Sequence, residues 1–289
     1  MIGKAACRGA ATIVNAIATG KGAAFGISLE VDAAVELTEG PGEITLRDSR
    51  EGADLVAGCV RAIAKKALGN RMVNGEVHVK SEIPVSRGLK SSSAVSNAVA
   101  LATAKAVGTD LPDMEIILAG IEESIKAGVT ITGAFDDASA CYFGGVVVTD
   151  NRNFAILHRG TLDPDLEVLL HVPDRKITKA SVKGLDFSPI RKEVEKAYEL
   201  AMQGSYLKAM EVNSRAYAKV LDVSEDVAEL ARKKGALAAG ISGTGPATAI
   251  ICDKADVGVL MSALQNHDGA VLRAHINDVP AREVVPRLL

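Results

Sequence analysis

The stretch between Glu76 and Ala106 constrains the chain more than any other. Val77, Val79, Ser81 and Ile83 alternate with Glu76, His78, Lys80 and Glu82, a period of two that predicts a strand with one buried face. Val95, Ala98, Val99, Ala102 and Ala106 then recur at helical spacing, and Gly108 supplies a stop. Between them runs Pro84-Val85-Ser86-Arg87-Gly88-Leu89-Lys90-Ser91-Ser92-Ser93-Ala94. Pro84 ends the strand because it has no N–H to give to a sheet. The unit is strand, Gly/Ser-rich loop, helix start.

Such a unit favours an anion. The first turn of a helix has unpaired N–H groups at the positive end of the macrodipole. Gly88 lets backbone approach a bound group, three serines crowd hydroxyls at the same spot, and Arg87 and Lys90 add positive charge. A nucleotide polyphosphate meets these terms. A plain serine N-cap on an alanine-rich helix is the simpler alternative for three serines alone; the proline and glycine spacing after a clean strand speaks for the phosphate. No Gly-x-x-x-x-Gly-Lys-Ser/Thr loop occurs in the chain.

With 289 residues there is enough chain for a full core and for two domains. Aromatic residues make up 3% and Trp is absent, so the core must come from Ala, Val, Ile and Leu, which suits an α/β or α+β enzyme. A net charge of −3 gives no global basic field for nucleic acid. Cys7, Cys59, Cys141 and Cys252 are scattered, and neither a secretory leader nor a run of about 18 apolar residues is present. These features predict a cytoplasmic protein with reduced thiols and no membrane segment.

Residues 3–50 read as strands and turns, with period two at 31–37 and a Gly40-Pro41-Gly42 turn. Asn15 through Gly26 is rich in glycine and small residues and reads either as a turn before a strand or as a pocket loop, with Lys21 reaching an anionic group. Helices are predicted from Asp54 to Leu68 and from Pro112 to Ala127. The second carries Glu122 and Glu123, a pair most simply read as a solvated face. Asp136 and Asp137 stand side by side in a small-residue apolar stretch ending in Gly144-Gly145. An N-cap accounts for one carboxylate and leaves the other unexplained; a neighbouring Mg²⁺ or lysine would make it a base toward a hydroxyl. From about residue 160 the composition shifts, and three helical segments follow at roughly 188–203, 205–220 and 224–234. A second Gly-rich loop, Gly240-Ile241-Ser242-Gly243-Thr244-Gly245-Pro246, leads into a strand. The expected division is an N-terminal domain of residues 1–155 and a C-terminal domain of residues 156–289.

Three stretches together resemble one family, the GHMP kinases. Residues 84–94 resemble its nucleotide loop, with Lys90 where a glycine usually stands; Asp136-Asp137 through Gly144-Gly145 is similar to its catalytic-aspartate segment; Ser242 to Pro246 is similar to its C-terminal Gly-rich motif. Within the family, Ile13–Gly22, Glu82-Ile83-Pro84, Gly133–Ala138 and Gly240–Pro246 are most similar to the archaeal-type shikimate kinases. The resemblance implies a ribosomal protein S5 domain 2-like N-terminal domain, an α+β C-terminal domain, and ATP-dependent phosphorylation of the 3-hydroxyl of shikimate. It implies that residues 84–94 hold ATP, that Ser92 binds Mg²⁺ with Glu123 as the acidic ligand, and that Asp137 is the base, with Asp136 orienting it or the substrate. Asn15, Lys21, Ser242, Gly243 and Thr244 are the expected substrate-binding residues, with Lys21 or Arg87 meeting the substrate carboxylate. Other acceptors of pantoate, homoserine or mevalonate type stay open, although Asp137 stands where homoserine kinases usually have Asn. Mevalonate kinases usually carry a lysine before their first strand, a place Lys4 fills. A catalytically silent sensor of the same fold is the reading from a different class.

Overall fold

The longest strand, β2 (Lys21–Glu39), is the spine of the first domain in the computed structural model, which describes residues 1–47, 52–130, 133–177 and 182–287. The last residues of the 3–50 stretch thus lie outside the described residues. On one side β2 pairs antiparallel along β1 (Ile2–Val14), from Ile2 opposite Glu36 to Val14 opposite Ala23. On the other side it takes two partners in succession. Its outer half pairs with β4 (Val73–Ser81) and its first residues with β5 (Val146–Asp150). The short β3 (Ile44–Leu46) runs parallel to β4, and β6 (Ala155–Gly160) closes the far edge against β5.

Four helices accompany this sheet: α1 (Ala53–Leu68), α2 (Ser91–Ala106), α3 (Asp113–Lys126) and α4 (Phe135–Phe143), of which α3 packs on the other three rather than on the strands. Helix α2 is central and is buried on nearly every side. Its alanines make that possible, since a helix this enclosed needs short side chains to let its neighbours approach. Gly3 of β1 shows how close: a Cβ there would overlap the backbone of Ala102 and Ala106. Buried Asn97 on α2 donates to the Ala138 carbonyl at 2.9 Å and ties α2 to α4. This matters because α2 and α4 carry the candidate phosphate site and the two aspartates.

The second domain is built on an antiparallel sheet in the order β10 (Ala270–His275), β7 (Glu167–Val172), β9 (Thr248–Cys252) and β8 (Ala238–Ile241). Helices α5 (Arg191–Met202), α6 (Tyr206–Ala218), α7 (Asp226–Lys233) and α8 (Val257–Leu264) accompany it. Because β6 belongs to the first sheet and β7 to the second, we propose that the domains divide within residues 161–166. After β10 the chain returns to the first domain, where Ile276 bridges Ile27 and Asn277 exchanges backbone hydrogen bonds with Gly26 and Gly145.

Along their seam the domains are joined by buried polar contacts. The Thr12 amide donates to Ser242 Oγ at 3.2 Å, and the Gly243 amide donates to Thr12 Oγ1 at 2.8 Å. The Asn15 amide donates to Asn213 Oδ1 on α6, and Tyr217 Oη donates to the Asn15 carbonyl. All four cysteines are buried and unpaired. Among the described residues no helix is long and apolar enough to cross a membrane.

Candidate active site

The loop between β4 and α2 turns through three left-handed residues, Ser86, Gly88 and Lys90, with φ of 58°, 87° and 64°. For the two non-glycines this conformation costs on the order of 1–3 kcal/mol each, so the surrounding structure must hold it. Part of that hold is the second Gly-rich loop. Ser242 Oγ donates to the Gly88 carbonyl at 2.8 Å, and the Ala247 amide donates to the Arg87 carbonyl at 3.0 Å. A Cβ on Gly88 would overlap the Ser242 carbonyl, so this close approach demands glycine. The loop delivers Ser91, Ser92 and Ser93 to the first turn of α2, an end that no side chain caps.

The aspartates open α4 after a second left-handed step, Ala134 at φ 47°. Asp136 points inward, where Asn151 Nδ2 donates to its Oδ1 at 2.7 Å and Thr149 Oγ1 donates to Asn151 Oδ1 at 2.7 Å. Beneath it lies Gly22, at which even a methyl group would strike the carboxylate. Burial pushes Asp136 up to about 7, with the charge of Asp137 adding to the rise and Lys90 and Asn151 opposing it. Asp137 is the more open of the two, and Lys90 Nζ lies 2.8 Å from its Oδ1.

Both units face one cavity of about 540 Å³. Part of its lining is apolar, from Leu46, Leu55, Val56, Val79, Ile121 and Val129. Another part is polar, from Ser91, Ser92, Ser93, Asp136 and Asp137, with Gly243 and Thr244 of the second domain. Of the residues named from sequence, the cavity brings together Pro84, Val85, Ser86, Gly88 through Ser93, Asn15, Asp136, Asp137, Gly243 and Thr244.

Five others do not line it. Ala94 is buried in the core. Arg87 keeps a buried Nη1 with no hydrogen-bond partner among the described residues. Ser242, fully buried, is the latch between the loops described above. Lys21 starts β2 and sits over the Tyr198 ring, 5.1 Å from its centroid. Glu123 Oε1 pairs with Lys126 at 2.5 Å, and the other oxygen abuts Gly58 of α1. Asn15 lines the cavity with its side chain already engaged, donating to the Gly243 carbonyl and accepting from the Ile17 amide.

Sequence reasoning does not reach Gly22, Asn151, Thr12 or the apolar wall from α1. Asn151 sits in a turn that reads only as a domain junction. Gly22 sits among small residues that read as a loop, yet its smallness is what admits Asp136.

An open helix terminus and a carboxylate sharing one cavity equip a protein to hold a polyphosphate beside a hydroxyl, and the chain belongs to the GHMP kinases, a family of ATP-using small-molecule kinases. The model of the GHMP kinases N terminal domain matches residues 54–145, and that of the GHMP kinases C terminal domain matches residues 192–270. A Methanosarcina mazei protein named shikimate kinase is 41% identical over 281 residues, covering 96% of this chain and 94% of its own. One of the same name from Thermococcus kodakarensis is 41% identical over 246 residues, 84% of this chain and 90% of its own. The crystal structure of a homoserine kinase from Cytophaga hutchinsonii superposes with a TM-score of 0.76 over 96% of both chains at 17% identity, a likeness of fold.

Proposed function

We propose that the chain is a shikimate kinase that transfers the γ-phosphoryl group of ATP to the 3-hydroxyl of shikimate, in the cytoplasm, on the way to aromatic amino acids. The observation that carries the chemistry is the meeting of the uncapped α2 terminus and Asp137 in one cavity. The acceptor rests on the likeness to the archaeal relatives. Adenine would lie against the apolar part of the lining, and the phosphates would lie against the first turn of α2 and the loop of residues 84–94.

Phosphoryl transfer asks a protein mainly for positioning and charge neutralisation, with a base for the attacking hydroxyl. In the proposed reaction Asp137 accepts the proton of the 3-hydroxyl. Asp136, held by Asn151 and packed on Gly22, fixes the start of α4 and so the direction of Asp137. Gly243 and Thr244 close the site from the other domain, with Asn15 tied to the same loop. Of the two cations considered for the substrate carboxylate, Lys21 is engaged with Tyr198. That leaves Arg87, which does not line the cavity but keeps a buried Nη1 with no hydrogen-bond partner among the described residues. Replacing it by Met is expected to raise the KM for shikimate and leave that for ATP; the reverse pattern would remove the assignment.

Magnesium at a nucleotide is held by one or two protein groups, phosphates and water. It needs no dense acidic cluster, and none of three or more His, Cys, Asp or Glu occurs among the described residues. Ser92, in the first turn of α2, fits as a ligand. Glu123 fits less well, since Lys126 holds it and it does not line the cavity. When bound, the ion would offset the charge of the phosphates.

The test is ADP release by purified protein with Mg-ATP across shikimate, homoserine, pantoate, mevalonate and no acceptor. Turnover with shikimate alone is the expected result. Turnover with another acceptor overturns the substrate and keeps the chemistry; none with any acceptor, with ATP still bound, favours a sensor.

A further inference from the structure

Lys90 occupies a place that its residue type does not explain. It is the N-cap of α2 with φ 64°, where glycine would be at ease and lysine is strained. Its side chain does not snorkel to solvent either, being 5% exposed. A buried ammonium needs a counter-charge, and Asp137 Oδ1 supplies it at 2.8 Å. The need is mutual, because that buried oxygen has no hydrogen-bond partner among the described residues, so the ion pair with Lys90 is what offsets its burial. Gly243 also lies against the ammonium, since a Cβ there would come within 3.1 Å of Nζ. Lys90 thus touches both Asp137 and the second domain's loop. Lys4 takes no part: it lies mid-strand in β1, opposite Ala34, and does not line the cavity.

We propose that Lys90 is the positioning residue for Asp137, so that the nucleotide loop itself carries the cation that holds the base. This rests on the reading of Asp137 as the base and goes beyond it. Ordering the loop on ATP then also fixes Asp137, which couples the two halves of the site through one side chain. The same cation lies near both carboxylates, and it pairs with the one that faces the cavity. Burial favours the neutral form of the other, Asp136. A lysine in this loop has a rival role, as a direct ligand of the ATP phosphates, and the two roles separate in kinetics.

The test compares wild type with Lys90→Gly, Lys90→Arg and Lys90→Met, by kcat, by KM for each substrate and by crystal structures. Glycine suits the left-handed backbone, so Lys90→Gly is expected to fold, and its melting temperature checks that a loss of turnover is not a loss of fold. The expected result is a kcat about 10²-fold lower in Lys90→Gly and Lys90→Met, the scale of a misplaced general base, with KM for ATP little changed. Lys90→Arg should regain part of kcat by keeping the charge. In the crystals Asp137 should leave its position in Lys90→Gly and keep it in Lys90→Arg. A raised KM for ATP with kcat kept, equal losses in Arg and Met, or an unmoved Asp137 in Lys90→Gly would each overturn the proposal. Wild type that phosphorylates a different acceptor overturns the acceptor alone, and the same comparison on that acceptor then judges Lys90. The crystallographic arm decides the matter whatever the wild type turns over.

Discussion

Left-handed backbone at non-glycine residues is concentrated at the cavity: of Ser86, Lys90, Ala134 and Phe154, the first three line it. Strain of this kind, on the order of 1–3 kcal/mol per residue, persists where neighbours over-determine the conformation. Here those neighbours are the Gly88–Ser242 contact and the Lys90–Asp137 pair. If Asp137 is the base, Asp137→Asn should lower kcat by about 10² to 10⁴ while calorimetry finds ATP binding intact; near-normal turnover would remove it from the mechanism. Asp136 makes a separate prediction on stability. Its folded pKa of about 7 lies above the ordinary 3.8, so the folded state holds the proton more tightly. That contribution is present below the ordinary value and is lost as pH rises through 7. Asp136→Asn, isosteric and always neutral, should therefore melt higher than wild type at pH 8, with the gap narrowing as pH falls below 7 and closed only near the ordinary value of 3.8. A gap that widens on acidification would contradict the burial argument. The adjacency of the two aspartates is legible in the sequence, and their division into a buried and a cavity-facing one is not, because it depends on Gly22 and Asn151 arriving from other strands.

Elements with a strong local period are legible nearly to the residue. The helix predicted from Pro112 to Ala127 is α3, Asp113–Lys126, and the strand read from the alternation after Glu76 lies within β4 apart from its last two residues. The stretch from Asn15 to Gly26 behaves differently. Its small residues suggest a loop, yet β2 begins at Lys21, and the small side chains there serve packing. Gly22 admits Asp136, and Gly26 admits Asn277 and Gly144. Composition alone cannot separate a glycine that bends the chain from one that makes room for a neighbour. Lys21 follows from the same ambiguity, since as a strand residue its side chain meets Tyr198 of α5. The two Gly-rich loops are legible one at a time, but their mutual contact is not. That contact predicts that Gly88→Ala, which pairs a left-handed backbone with a Cβ overlapping the Ser242 carbonyl, lowers stability by about 1–3 kcal/mol and raises the KM for ATP. A variant melting as wild type does would show that the loops are not in register as described.

For the whole molecule, two domains are visible in the change of composition near residue 160, and the return of the chain to the first domain after β10 is not. That return is made of backbone hydrogen bonds and of ion pairs from Arg282 to Asp110 and Asp113 and from Arg287 to Glu30 and Glu82, with no period to announce them. Asn277 accepts from the Gly145 amide at 2.8 Å and donates to the Gly26 carbonyl at 3.0 Å, and the Ala281 amide donates to the Tyr142 carbonyl at 2.7 Å. Buried Val284 adds apolar contact. Removing residues 276–289 should cost about 3 kcal/mol or more, at roughly 1 kcal/mol per hydrogen bond plus the lost burial, as read by urea unfolding. An unchanged midpoint would show the segment to be an appendage. Gly145 comes just after the Gly144 cap of α4, and Tyr142 lies within the helix, so this segment underpins the helix that bears both aspartates. During synthesis the first domain therefore leaves the ribosome unfinished: the helix that bears both aspartates waits for a brace encoded some 130 codons later, and a nascent chain halted before that point has every aspartate and serine of the candidate site but lacks one of the contacts that hold that helix.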